Sequence, residues 1–203
     1  MKPLFLLFAL GFAGCDSPDP REPRILEKAL SQAVDLEGLR PVRLDGLLKL
    51  CTTESETPYE GWAKSLHPNG TLKRLGFLKA GQKDGFWISW HDNGQRQEQV
   101  QFKADIMDGP FRAWHPNGTL AAQGNINDNE MTGHWMEWYA TGVKRKAQHC
   151  RDGIFISAVV WTPDGALCPE TNATGGNGVV VEYEENGSVE KRRVYQNGVS
   201  PSK

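Results

Sequence analysis

Hydrophobic and polar positions alternate along most of this chain, and the alternation is interrupted at nearly regular intervals by turn residues. Gln95–Phe102 and Thr119–Ile126 are clear examples: their period of two is that of a strand with one face covered. Each is preceded by a short polar stretch ending in glycine, and those glycines form a column at Gly70, Gly94, Gly118, Gly142, Gly165 and Gly187. The residue before each is Asn69, Asn93, Asn117, Thr141, Asp164 or Asn186, and proline precedes three of them as Pro68, Pro116 and Pro163. Proline presets φ, Asn or Asp tolerates the next position, and glycine closes the turn in the left-handed region. Each copy of 22–24 residues is therefore expected to be one β-hairpin. A second glycine column, Gly61, Gly85, Gly109, Gly133 and Gly178, is read as the turn between one hairpin and the next, with Ile156 as its exception. Two strands per copy give about twelve strands.

A different period governs Arg24 to Leu39, where Ile25, Leu26, Ala29, Leu30, Ala33 and Leu36 recur at helical spacing before Gly38 and Pro41. A short helix covering the end of the sheet is expected. Arg43–Leu50 reads as one strand of a degenerate leading hairpin, and the fifth copy, with its turn-rich Pro169–Gly178, departs from the pattern. The expected division is a leader over 1–14, a flexible tether over 15–23, a helical cap over 24–40, the repeat array over 41–198 and a disordered tail over 199–203. The fold class is all-β, an elongated antiparallel sheet of stacked hairpins with a short N-terminal helix.

The leader follows from Lys2, the apolar run Leu4–Ala13 and the small residues before Cys15. Phe12-Ala13-Gly14-Cys15 resembles the bacterial lipobox, although Phe12 stands where Leu, Val or Ile is usual. That resemblance implies lipidation of Cys15 and a membrane anchor in the bacterial cell envelope; Asp16 resembles the signal that retains enterobacterial lipoproteins at the inner membrane. The net charge of −2 lacks the basic footprint of a nucleic-acid binder.

Aromatic residues form two columns. Trp87, Phe111 and Trp135 lie seven positions before their anchors, and Trp90, Trp114 and Trp138 lie four before. An offset of three points the columns to opposite faces, unless a bulge brings them together. They are read first as stacking between repeats; any face left open is the candidate binding surface for another protein. His67, His91 and His115 also share a column, but copies two strands apart are about 9.6 Å from one another, too far to share a metal ion. No cofactor or metal is expected. Cys51 lies far from the other cysteines along the array, and Cys150–Cys168 is the one bridge left open, feasible only where the fifth copy distorts the sheet. No nucleophile elbow, phosphate loop or zinc-peptidase motif is present, so no catalytic residue is assigned.

The phrase Gly85-x-Trp87-x-x-Trp90-His91-x-Asn93-Gly94, with Glu56–Trp62 ahead of it, resembles the variant MORN repeats of bacterial proteins grouped as YwqK-like antitoxins. The resemblance covers about residues 43–198. It implies stacked hairpins used as a binding surface, and hence a non-catalytic interaction module with an unknown protein partner. Neutralisation of a toxin is the alternative it raises, and a glycan-binding or cell-wall enzyme is the third.

Overall fold

A computed structural model describes residues 17–54 and 56–200. Among them, one α-helix, α1 (Pro23–Gln32), precedes the strands β1 (Val34–Asp35), β2 (Leu39–Leu44), β3 (Leu47–Thr52), β4 (Gly61–Leu66), β5 (Leu72–Lys79), β6 (Gln82–Trp90) and β7 (Arg96–Lys103), with a 3-10 turn, Leu36–Gly38, between β1 and β2. After these come β8 (Ile106–Trp114), β9 (Leu120–Asn127), β10 (Glu130–Trp138), β11 (Lys144–Arg151), β12 (Ile154–Val160), β13 (Gly178–Tyr183) and β14 (Val189–Tyr195). Ten of them form one sheet in the order β1-β4-β5-β6-β7-β8-β9-β10-β11-β12. At ordinary strand spacing this sheet is about 43 Å across. The fold is all-β, a ladder of stacked antiparallel hairpins joined in parallel by β1 at one edge, with a short N-terminal helix.

Two kinds of turn alternate along the ladder. At one edge the anchor glycines Gly70, Gly94, Gly118, Gly142 and Gly165 have φ between +83° and +88°, and Gly187, between β13 and β14, has the same conformation. The amide of each donates to the carbonyl three residues earlier, as Gly94 does to His91 at 3.0 Å. At the opposite edge the turns are two-residue loops with both φ values positive, at Ala80-Gly81, Ala104-Asp105, Asp128-Asn129 and Asp152-Gly153, and Asp45-Gly46 makes the same turn between β2 and β3. That is the type I′ geometry whose twist matches the flanking strands. The second glycine column is therefore not the turn. Gly85 and Gly133 lie inside β6 and β10, where Leu75 pairs with Ile88 and Phe77 with Asp84, leaving Gly85–Trp87 opposite Gly76 as a bulge. Turn and bulge both call for positive φ, so glycine marks them alike in sequence.

The remaining departures from the expected layout lie at the ends. The helix stops at Gln32; Ala33 is extended, and Val34–Asp35 pairs in parallel with Ala63–Lys64 on β4. Ala33 packs in one cluster with Trp62 and Leu75, whereas Val34 and Leu36 pack in another with Ala63 and Leu78. The chain thus wraps around the edge of the sheet, using one helically spaced apolar set on both faces. Arg43–Leu50 is not one strand: Asp45-Gly46 turns it into the hairpin β2–β3, a separate two-stranded sheet. The tether is not free over its described part either. Pro20 is fully buried, and the Arg21 guanidinium lies 3.6 Å over the Phe86 ring.

The last copy does not extend the ladder. The outer edge of β12 is occupied by a strap, with Cys168 N–H donating to Val160 O at 2.8 Å and Gly176 N–H to Ile156 O at 2.7 Å. The hairpin β13–β14 forms its own sheet and packs on β11 and β12 through Phe155, Val160, Val180, Val181 and Tyr183. A buried ion cluster fixes it: Lys146 Nζ lies 2.7 Å from Glu182 Oε1 and 2.8 Å from Glu137 Oε1, and Arg193 reaches Glu182 at 3.0 Å. Cys51, Cys150 and Cys168 are buried free thiols. The bridge left open between Cys150 and Cys168 is not formed: β12 runs between them, and Cys168 Sγ instead contacts the Tyr183 hydroxyl at 3.3 Å. In the tail, Val199 pairs with Gln196, and residues 201–203 lie outside the described residues, as does the lipidation candidate Cys15.

Candidate binding trough

Strand alternation gives the sheet two faces with different cover. On one, α1 buries Ala29 and sets Ile25 and Leu26 against Trp62 and Leu75; this is the helix face. On the other, Leu39 and Leu50 of the β2–β3 hairpin pack near β4 and β5, and β13–β14 lies over β11 and β12. Between these two hairpins the middle of the second face is open. The opening is a trough of about 590 Å³, bounded by β5 to β8.

Its floor includes Trp87 paired with Val100, and the same cross-strand row continues past the trough, Val100 with Phe111, Phe111 with Gly124, and Trp135 with Gln148. The tryptophans lie flat because the preceding strand yields to them. A Cβ placed on Gly76 would come within 2.1 Å of the Trp87 ring, and one on Gly124 within 2.3 Å of the Trp135 ring. Each indole N–H donates across that glycine, Trp87 Nε1 to Phe77 O and Trp135 Nε1 to Asn125 O, both at 3.1 Å. In the copy between them the glycine position is Val100 and the ring is the smaller Phe111. Phe111 and Trp135 then meet with centroids 5.3 Å apart. In a second row Leu78 pairs with Lys83, Phe102 with Met107 and Ile126 with Met131, and of these Lys83, Phe102 and Met107 line the trough.

Three charged side chains border this floor. Arg74 pairs with Ser89, Ser89 with Glu98 and Glu98 with Ala113, all on the trough face, and Lys83 Nζ lies 4.8 Å from the Phe102 centroid and 5.2 Å from that of Trp87. Burial lowers the Lys83 pKa, Arg74 adds to that, and Asp105 and Glu98 oppose it. Burial likewise raises the Glu98 carboxyl against the pull of Arg74 and Lys83. Among the described residues, none of Arg74, Lys83 and Glu98 takes part in an ion pair.

The two aromatic columns are separated rather than merged. Trp87 and Trp135 are buried in the trough-face core with Phe111 half-buried beside them, while Trp90 packs with the helix-face cluster. The register shift between Ser89 and Trp90 falls on β7, which carries the extra residue Gln97, so the aromatic strand itself keeps its alternation. Trp114 and Trp138 follow the same register and are half-buried. Arg74, Lys83, Glu98, Phe102 and Met107 were not singled out by the aromatic pattern. Their signal in sequence was parity: each falls on the trough-face phase of its own strand.

The histidine column has a different task. His67, His91 and His115 each donate from Nε2 to the carbonyl of Trp90, Trp114 and Trp138 in the next copy, at 2.8–2.9 Å. Tyr139 takes the place of histidine in the next copy and donates from its hydroxyl to Trp161 O at 2.8 Å. Asn69, Asn93 and Asn117 run a parallel line of bonds to Asp92, Pro116 and Ala140 carbonyls. The turns at this edge are thereby laced copy to copy, which holds the trough floor in one register.

No curated protein matches this chain. Residues 83–104, 107–128 and 177–197 match the family model described as MORN repeat variant. The first two matches follow β6 to β9, the walls and floor of the trough, and the third is the β13–β14 hairpin, so the chain carries MORN-variant repeats both within the ladder and in the hairpin that ends it.

Proposed function

We propose that this chain is a non-catalytic scaffold, held in the bacterial envelope by lipid on Cys15, whose trough receives an extended segment of a partner protein. The observation that carries the reading is the pair of half-buried, unpaired charges Lys83 and Glu98, with the exposed Arg74 at the rim, beside an aromatic floor. Partial burial costs Lys83 and Glu98 hydration that no neighbour returns through an ion pair. A peptide laid along the trough supplies carbonyl, amide and carboxylate groups to all three and covers Met107 and Phe111. The similarity to MORN-variant repeats supports an interaction role, because such repeats serve commonly as contact modules.

The test is capture from native membranes with the full lipidated protein, beside a Lys83→Ala/Glu98→Gln variant whose melting temperature matches. The proposal expects one protein bound by the native form, with recovery reduced at least about tenfold in the variant, since charge-assisted bonds contribute roughly 1.5–3 kcal/mol each. Equal recovery by both forms overturns the trough as the site.

A further inference from the structure

The segment just after the proposed lipid site is seated on the sheet. Ser17 Oγ–H donates to Asp84 Oδ1, and a Cβ on Gly85 would lie 2.9 Å from Ser17 Cβ, so Ser17 rests directly on the β6 backbone. Two residues on, Asp19 pairs with Arg21 at 2.5 Å, Pro20 is fully buried, and Arg21 covers Phe86. Phe86 alternates with Trp87 and so belongs to the helix face, the face on which α1 then packs through Ala29. Residues 17–32 thus form one continuous layer on the side of the sheet opposite the trough.

Cys15 is two residues from Ser17, and two residues of chain span at most about 7 Å. A free tether over residues 16–23 would span up to roughly 28 Å and leave the body unoriented above the bilayer. With the chain fixed at Ser17, the acyl-bearing residue has no such freedom. We infer that the lipidated protein lies on the bilayer through its 17–32 layer, with the trough turned away from the membrane toward soluble or integral partners. The inference rests on the proposed lipidation of Cys15. The outward side of α1 suits headgroups: Arg24, Glu27, Lys28 and Ser31 are all exposed. Its mixed charge supplies no strong attraction of its own, so the orientation is imposed by the short connection rather than by electrostatics.

The experiment uses the full lipidated protein in phosphatidylcholine–phosphatidylglycerol vesicles, with a photo-cross-linking phenylalanine analogue at Lys28 on the α1 side or at Ala113 in the trough. Mass spectrometry of Cys15 is run on the same samples. The inference expects lipid cross-links at Lys28 at least fivefold above those at Ala113. It further expects this ratio to collapse toward one when a 20-residue Gly/Ser linker, with a reach of about 25 Å, is inserted between Asp16 and Ser17. Acylated protein that cross-links equally at both positions, or a ratio the linker leaves unchanged, overturns the orientation alone. Unmodified Cys15 overturns the anchoring on which it rests, while the trough's capture of a partner stands or falls separately.

Discussion

Gly76 and Trp87 show how a single missing side chain shapes the trough. The indole occupies the space a Cβ at position 76 would need, and the same arrangement returns at Gly124 and Trp135. Between them Val100 faces Phe111, so the chain contains its own control: a larger residue beneath is accommodated by a smaller ring above. Gly76→Val is therefore expected to destabilise the protein by about 1–3 kcal/mol in chemical denaturation, the usual cost of overpacking. The double change Gly76→Val/Trp87→Phe, which reproduces the Val100–Phe111 pairing, should regain a substantial part of that loss. A double variant no more stable than the single one would contradict the packing account. The anchor glycines were legible in the sequence because they recur with the copy length and sit among Asn and Pro. Gly76 and Gly124 were not, because a glycine inside an alternating strand carries no period of its own; its message of close approach is readable only once the facing ring is known.

At the scale of elements, the hairpin was legible and its boundaries were not. The type I′ turns at Ala80-Gly81, Ala104-Asp105 and Asp128-Asn129 lie a few residues before Gly85, Gly109 and Gly133, and both positions have positive φ, so one signal had two meanings. The helix was overextended for a related reason: Ala33 and Leu36 continue its spacing but serve opposite faces of the sheet. The hairpin β13–β14 departs most, since a repeat that matches the others in sequence is lifted off the ladder by the strap along β12. What holds it is Lys146 with Glu137, Glu182 and Arg193. Burial alone would raise the Glu182 carboxyl, but Lys146 and Arg193 outweigh it and hold the pKa below its ordinary value. Burial would lower Lys146, and Glu137 and Glu182 outweigh that in turn. A depressed carboxylate stabilises the folded state above its unfolded pKa, and that stability is lost as pH falls through the folded value; a raised lysine loses its share only in strong base. Acidification from neutrality to below the ordinary Glu value of 4.5 should therefore loosen β13–β14 first. Hydrogen exchange should show Val180 and Val181 losing protection while β6 to β9 keep theirs; uniform loss across both would contradict this. Lys146→Ala, which leaves Glu182 buried, should cost about 3 kcal/mol at neutral pH.

Over the whole molecule, the repeat sets a ladder and the two non-ladder hairpins decide which part of it remains open. β2–β3 and β13–β14 cover the ends of one face, α1 and the Ser17–Arg21 layer cover much of the other, and the trough is what is left. The sequence pattern identified Trp87, Phe111 and Trp135 as one row, but not the bordering Arg74, Lys83 and Glu98, because charged residues on a strand ordinarily read as its solvated phase. Only the closing of both ends turns that phase inward. The most direct test of the trough as the binding site is carbene footprinting of the native protein, free and with its captured partner, read residue by residue by mass spectrometry. Binding in the trough predicts reduced labelling of Lys83, Glu98, Met107 and Phe111 with Trp90 and Trp138 unchanged. Protection of Trp90 and Trp138 with the trough residues labelled as before would place the partner on the other face and contradict the account.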